Sequence, residues 1–372
     1  MNIFILKLSK TAFFVLTCLL ALNSCKSVQL ISYSNISVPE EGGINFVKLT
    51  SDDDGVASPG YRSTSQTGVT TNPSRNGISW YNYAVIDVSP NGEKIGYINL
   101  KNTTTNVMIK SSSAGGGSVQ RTFRTDVRGF TFSPDGKKIC YTEFRDEHTG
   151  IYMMDANQGT TVQRISPTNS DDNGPSMSRE GRTIFFDRYE GNYDFSLWSY
   201  DADKGLFSNY SRGFTPCVDP ANDNNIYCAR FTYDNTGNTI INKRKIRIGN
   251  QKIEQIFYTN EKSRRSEIWK LNIEKGTEEL LLSDKMSSFS SPKVSPNGKW
   301  ILVTGANKSN NGIWNTNIFV VRSDGTQFTQ LTYHPGNDMS PIWSPDGKSI
   351  YFVSQRGTKE GTYNVWKMNF PL

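Results

Sequence analysis

Two histidines, His148 and His334, are the whole imidazole supply of the 372-residue chain. They cannot supply a three-histidine zinc site, and neither stands in an H-E-x-x-H arrangement. No G-x-S-x-G elbow occurs. The nearest phosphate-loop match, Gly347-Lys348-Ser349, has Ile342 where the first glycine belongs. Asn169-Ser170-Asp171-Asp172-Asn173-Gly174, with Glu180 beyond it, approaches an EF-hand loop that has Asn for its first Asp. Residues 175–178 read as an extended strand, however, which sets Glu180 roughly 15–20 Å from Asn173. Standard hydrolase, NTPase and EF-hand chemistries are therefore set aside, and no cofactor is expected. What remains is recognition chemistry carried by recurring acids, arginines and aromatics. Their meaning depends on the elements that carry them.

Those elements repeat. A short apolar strand, a Ser-Pro-(Asp/Asn)-Gly turn and a second apolar strand recur at Ser89, Ser133, Ser295 and Ser344, and in worn form at Ser178 and Asp219. Pro pre-sets φ for the first central turn position, and Asp-Gly or Asn-Gly supplies residues that tolerate positive φ. A third strand follows, as in Ile151-Tyr152-Met153-Met154-Asp155 and Val365-Trp366-Lys367-Met368-Asn369, and then a fourth such as Phe328–Thr332. The intervals between turns are 44, 45, 41, 76 and 49 residues. Four strands per 40–50 residues is the signature of a propeller blade. These residues resemble the TolB-like, WD-repeat-like β-propeller family over roughly residues 44–370. The resemblance implies an all-β, six-bladed propeller of four-stranded antiparallel blades, closed by an N-terminal strand lent to the last blade. Residues 44–50 are the closing strand, because the chain stops after a third strand. The α/β domain that precedes the TolB propeller has no counterpart between Cys25 and Ile44, so the role of TolB itself does not carry over.

The 76-residue interval contains a basic stretch, 231–265, with Lys243-Arg244-Lys245, Arg247, Lys252 and Arg264-Arg265. Either one blade carries an inserted hairpin turning at Gly249-Asn250, or a seventh, degenerate blade exists.

On this frame the candidate residues fall into classes. Asp126, Asp172 and Asp338 share the connection from outermost to next innermost strand, where they cap their own loops or share a cation or polar ligand. Arg145, Arg188, Arg230 and Arg356 follow second strands, where they form blade-to-blade ion pairs with those acids or a guanidinium ring that reads carboxylates. Tyr189, Tyr193, Trp314 and Tyr363 lie in the same class of loops and are placed to stack on sugar or peptide. Trp198, Trp269 and Trp366 share one strand position and read as core. Cys217 and Cys228 flank the fourth hairpin. A disulfide and two buried thiols both stay open, while Cys140 reads as a small buried hydrophobe.

The N-terminus reads as an address. Lys7 and Lys10 precede the apolar stretch Thr11–Leu22, which is too short to span a bilayer and the right size for a signal peptide. Leu22-Asn23-Ser24-Cys25 then resembles a bacterial lipobox. Residues 1–24 would be the signal, Cys25 the lipidated residue, 25–43 a tether and 44–372 the propeller. Lys26 after the cysteine directs the chain to the outer membrane, facing periplasm or cell surface. The formal charge of +6, interspersed in sign, does not suggest nucleic acid. The expected function is a lipid-anchored, non-enzymatic protein-interaction scaffold for envelope proteins, acting through its loop-rich face. The alternatives are a glycan or small-ligand sensor and, behind it, a propeller polysaccharide lyase or hydrolase.

Overall fold

The computed structural model describes residues 38–57, 84–101, 104–123, 125–159, 162–191, 194–233, 242–248, 251–257, 264–285, 287–308, 314–358 and 362–372. Cys25 and the stretch read as signal and lipobox lie outside them, as do Tyr193 and Gly249-Asn250, where a turn is expected. No helix among the described residues is long and apolar enough to cross a membrane.

Strand β1 (Phe46–Lys48) is followed by five blades formed in chain order. Blade 1 comprises β2 (Ile86–Val88), β3 (Lys94–Lys101), β4 (Thr104–Ser111) and β5 (Val119–Gln120). Blade 2 comprises β6 (Val127–Phe132), β7 (Lys138–Arg145), β8 (His148–Asp155) and β9 (Gln163–Arg164). Blade 3 comprises β10 (Asp172–Met177), β11 (Thr183–Gly191), β12 (Asp194–Asp201) and β13 (Leu206–Arg212). Blade 4 comprises β14 (Phe214–Asp219), β15 (Asn222–Tyr233), β18 (Arg264–Asn272) and β19 (Thr277–Leu282); a separate hairpin, β16 (Asn242–Ile248) with β17 (Gln251–Phe257), interrupts it. Blade 5 comprises β20 (Ser287–Val294), β21 (Trp300–Lys308), β22 (Trp314–Arg322) and β23 (Thr329–Gln330). Blade 6 comprises β24 (Asp338–Trp343), β25 (Ser349–Ser354), β26 (Asn364–Asn369) and β1. The propeller therefore has six blades. The long interval is one blade with a two-stranded insertion between its second and third strands, not a seventh blade.

The repeated turn is a local device. In blade 2 the Ser133 hydroxyl donates to Asp135 Oδ1 (2.6 Å) and accepts from Lys138 N–H (2.9 Å), while Gly136 adopts a positive φ of 69°. Ser89, Ser295 and Ser344 repeat the arrangement. The turns also meet around the ring. A Cβ on Gly136 would lie 3.4 Å from Pro90 Cδ, one on Gly181 3.3 Å from Pro134, one on Gly347 3.7 Å from Pro296, and one on Gly92 3.7 Å from Pro345. The last of these joins blade 6 to blade 1. First strands likewise touch their neighbours in a closed circuit. In blades 3 to 6 a residue with positive φ precedes a proline at a bulge: Gly174, Thr215, Ser291 and Ser340. For the three non-glycine residues this conformation costs on the order of 1–2 kcal/mol each.

Closure is made by several long-range ties. Strand β1 pairs antiparallel with β26, Phe46 opposite Met368 and Lys48 opposite Trp366. Leu49 N–H donates to Val365 O (2.9 Å), and Val365 N–H donates to Thr50 Oγ1 (2.9 Å). On the other side Lys110 of blade 1 reaches Leu49 O with its ammonium (2.5 Å). Joining the ends removes two open sheet edges.

Cys140, Cys217 and Cys228 are free and buried. Cys217 lies opposite Tyr227 and Cys228 opposite Trp269, and the two thiols enter different hydrophobic clusters. The disulfide that the spacing allowed is therefore not formed; Cys217 and Cys228 line opposite faces of the sheet. Burial pushes the Cys228 thiol up to about 12.

Candidate functional site

The face opposite the Ser-Pro-Asp-Gly turns carries the residues singled out for recognition. The structure uses most of them internally. Arg188 Nε and Nη2 grip Asp172 at 2.7 and 3.1 Å, because Asp172 and Arg188 sit across from each other in β10 and β11. The guanidinium lies 4.1 Å from the Trp198 ring centroid. Burial pushes the Asp172 carboxyl up, against the downward pull of Arg188. Arg356 is 7% exposed. It contacts both carboxylate oxygens of Glu41 at 3.0 and 3.1 Å, Asp338 at 2.6 Å, and the faces of Phe46 and Phe352. Both acids are buried as well. The expected blade-to-blade pairing with these acids is thus corrected: Arg188–Asp172 and Arg356–Asp338 join strands of one blade. Arg356 is a clasp holding the N-terminal segment, not an accessible reader of carboxylates. Its buried guanidinium is already surrounded by carboxylates and rings.

Asp126 takes a bond from Arg128 (3.2 Å) rather than from one of the four arginines named. Arg145 alone of Arg145, Arg188 and Arg356 stays substantially open, with its side chain 49% exposed. It donates to Glu143 Oε1 (2.8 Å), whose carboxyl burial pushes up, and lies over Tyr152. Asp126, Asp172 and Asp338 therefore each answer a local cation and do not converge.

Of the loop aromatics, the two whose side chains are described, Tyr189 and Tyr363, do not share one mouth. Tyr363 is half-buried in blade 6, its hydroxyl 3.4 Å from Asn337 Nδ2, whereas Tyr189 belongs to blade 3. Trp314 opens β22 opposite Lys308, with its side chain outside the described residues. The two histidines are separate: His148 Nδ1 faces Asp171 at 3.3 Å, and His334 Nδ1 accepts from Gly336 N–H. Among the described residues no three His, Cys, Asp or Glu side chains gather as metal ligands would.

What the structure does assemble lies between blades 3 and 4. Tyr189, Phe195, Phe214 and Phe231 form a continuous aromatic wall, with Phe214 and Phe231 stacked at 4.6 Å and Tyr189 5.2 Å from Phe195. Above it opens a cleft of about 320 Å³. One rim is the ion pair Arg212–Asp194 (2.8 Å) and the other Arg230–Glu278 (2.6 Å). Arg230 holds the Glu278 carboxyl below its usual range and stacks 4.7 Å from the Trp269 ring. Trp269 borders the cleft, and its indole N–H is buried without an acceptor among the described residues. The strands that bound the cleft, β15 and β18, are those whose chain continues into the β16–β17 hairpin. Sequence reasoning reached Tyr189, Arg230 and the insertion but missed Phe195, Phe214 and Phe231. Each is an ordinary apolar strand residue locally, and only their convergence is informative.

The surface opposite is different. Its turns satisfy their own hydrogen bonds and pack on one another through Pro–Gly contacts.

Residues 249–370 match the family described as the TolB beta propeller domain. The whole fold is similar to that of a protein assigned as TolB from Agrobacterium tumefaciens, with a TM-score of 0.52 and 15% identity over 78% of this chain and 91% of that one. TolB of Acinetobacter baumannii gives a TM-score of 0.55 and 16% identity, covering 79% of this chain and 66% of that one. An oligogalacturonate lyase of Vibrio parahaemolyticus gives 0.51 and 13%, covering 88% and 97%. The protein is a TolB-like propeller in fold. At these identities the likeness extends to architecture alone.

Proposed function

We propose that this chain is a lipid-anchored cell-envelope propeller, held at the outer membrane through Cys25, that captures a partner protein on its loop-rich face. The observation that carries the reading is the contrast between the two faces. The turn face is a ring of like, self-satisfied hairpins, whereas the loop face opens between blades 3 and 4 into an aromatic cleft rimmed by two ion pairs. Binding usually resides on loops of unequal length held by a rigid scaffold. The volume suits one or two side chains of a partner and lies at the low end for a small-molecule site. The lipobox-like Leu22–Cys25 supports the anchor, and acyl chains on one residue would hold the protein stably.

A photo-crosslinking amino acid placed in the full chain at Arg145 or Arg212 should yield protein adducts in cells, and at Lys137 or Lys348 should not. Adducts confined to the turn-face positions would overturn the assignment of face. Cys25→Ser should release the protein from salt-washed membranes; a variant that stays bound refutes the anchor. Because a lyase shares the fold, purified protein is also assayed on oligogalacturonate. Turnover there would replace the scaffold reading with an enzymatic one.

A further inference from the structure

Outer strands differ sharply from blade to blade. Those of blades 1, 2 and 5 are two residues each, and blade 6 ends on the three-residue β1. Short edges give another chain little to pair with. Strand β19 of blade 4 is six residues long, but Glu278 and Glu279 stand in its exposed half. Strand β13 of blade 3 has no such guard. Its seven residues, Leu-Phe-Ser-Asn-Tyr-Ser-Arg, contain no proline and no charge before the final Arg212. Leu206 is 59% exposed and Phe207 is also exposed. Its only strand partner among the described residues is β12.

Clefts flank both ends of this strand. At the loop face Ser211 and Arg212 border the aromatic cleft already described. At the turn face Ser208 and Tyr210 border a second groove of about 460 Å³, again between blades 3 and 4. That groove is acidic. Glu180, Asp201, Asp203 and Asp223 line it against Arg182 and Lys204. Arg182 is shared between Glu180 and Asp203, and Lys204 answers Asp201.

We propose that β13 is a docking strand. An extended segment of a partner protein pairs along its outer edge, setting an aromatic side chain in the loop-face cleft and basic residues in the acidic turn-face groove. Backbone pairing supplies affinity and the two end pockets supply specificity. Seven residues at ~3.3 Å each give a span of roughly 23 Å, which sets the length of segment that can pair along the edge. This inference rests on the interaction-scaffold reading and specifies where and what that scaffold binds.

The test uses the purified full chain in detergent and two fluorescent peptides, Trp-Thr-Val-Thr-Val-Thr-Lys-Lys and its reversed sequence, one for each strand direction. One of them should bind with a Kd of about 10–100 µM and slow amide hydrogen exchange across residues 206–212. Replacing its Trp by Ala, or its lysines by Glu, should weaken binding about tenfold, and alternate N-methylation should abolish it. The protein variant Ser208→Lys with Asn209→Lys, both positions being exposed, should lose binding without a change in Tm. If neither peptide binds, or if binding survives N-methylation or the double substitution, the docking strand is wrong. A dimer of the protein alone that the double substitution dissociates would assign the edge to a second copy and equally overturn it. Loop-face crosslinks in cells would then leave the scaffold reading standing without this site.

Discussion

Replacing Arg356 by Met removes the cation that holds the propeller shut. Arg356 bridges Glu41 and Asp338, and all three side chains are almost fully enclosed. Losing one partner of a buried ion pair costs about 3–5 kcal/mol, most of it the penalty of leaving charge buried without its counter-ion. Two carboxylates are orphaned here, so the upper part of the range applies, and the contact with the Phe46 ring (4.1 Å) is lost as well. Unfolding entropy of about 2.1 cal/mol/K per residue over the propeller converts about 4–5 kcal/mol into a fall in Tm of roughly 6–7 °C. The damage should begin at the seam. Hydrogen exchange should accelerate first over residues 44–50, whose amides depend on β26, and only later over β10 and β11 at the far side of the ring. The loss should also be smaller at pH 5 than at pH 8, because the Asp338 carboxyl, already pushed up by burial, takes up a proton once Arg356 is gone. Adding Glu41→Gln should recover part of it, since the second substitution removes one of the two stranded charges. The reasoning fails if Arg356→Met leaves Tm within about 1 °C, or if the two substitutions are simply additive.

His334 is buried, which pushes its imidazolium below the ordinary 6.5, with Asp338, Arg356 and Glu41 as the charges around it. A lowered folded-state value means the unfolded chain binds the extra proton first. Its contribution is therefore complete above pH 6.5 and lost as pH falls below it, so His334→Gln should flatten the acid side of a Tm–pH curve between about 6.5 and 5. Gly136→Ala meets Pro90 at a positive φ, whereas Gly205→Ala has the same φ sign and open space. Both should lower stability by about 1–2 kcal/mol in chemical denaturation, the left-handed backbone being the shared cost, and a much larger loss at Gly136 would show that the Pro–Gly ring leaves no room for a methyl group. Cys140, Cys217 and Cys228 should stay unlabelled by a thiol reagent at pH 8 until denaturant is added, because burial holds all three thiols protonated. Labelling of native protein at any of them would contradict the packing.

Strand order and six of the blades are legible in the sequence because the turn that marks them is local, while a seventh blade stays open there. Ser, Asp or Asn, Gly and the residue five positions after Ser satisfy one another within a single hairpin, so six copies announce six blades even where blade 3 has Arg for Pro and blade 4 Asp for Ser. The long interval resolved into an insertion only through pairing, since Cys228 lies opposite Trp269 across the hairpin that separates them. The candidate site was read less well. The spacing suggests ion pairs across blades, whereas the register puts Asp172 against Arg188 in the same sheet.

What the sequence determined by itself is therefore whatever needs only neighbouring residues: the turns, the alternation that gives each strand an inner and an outer side, and the missing strand of the last blade. Tertiary structure decided everything that depends on residues meeting from far along the chain. Glu41 and Arg356 are 315 positions apart, and nothing in either neighbourhood marks them as partners. Phe195, Phe214 and Phe231 come from three strands of two blades to make one wall. A short hairpin is specified by its own side chains. A clasp or a cleft exists only after the ring has closed, because ring closure alone brings those atoms within van der Waals and hydrogen-bond reach.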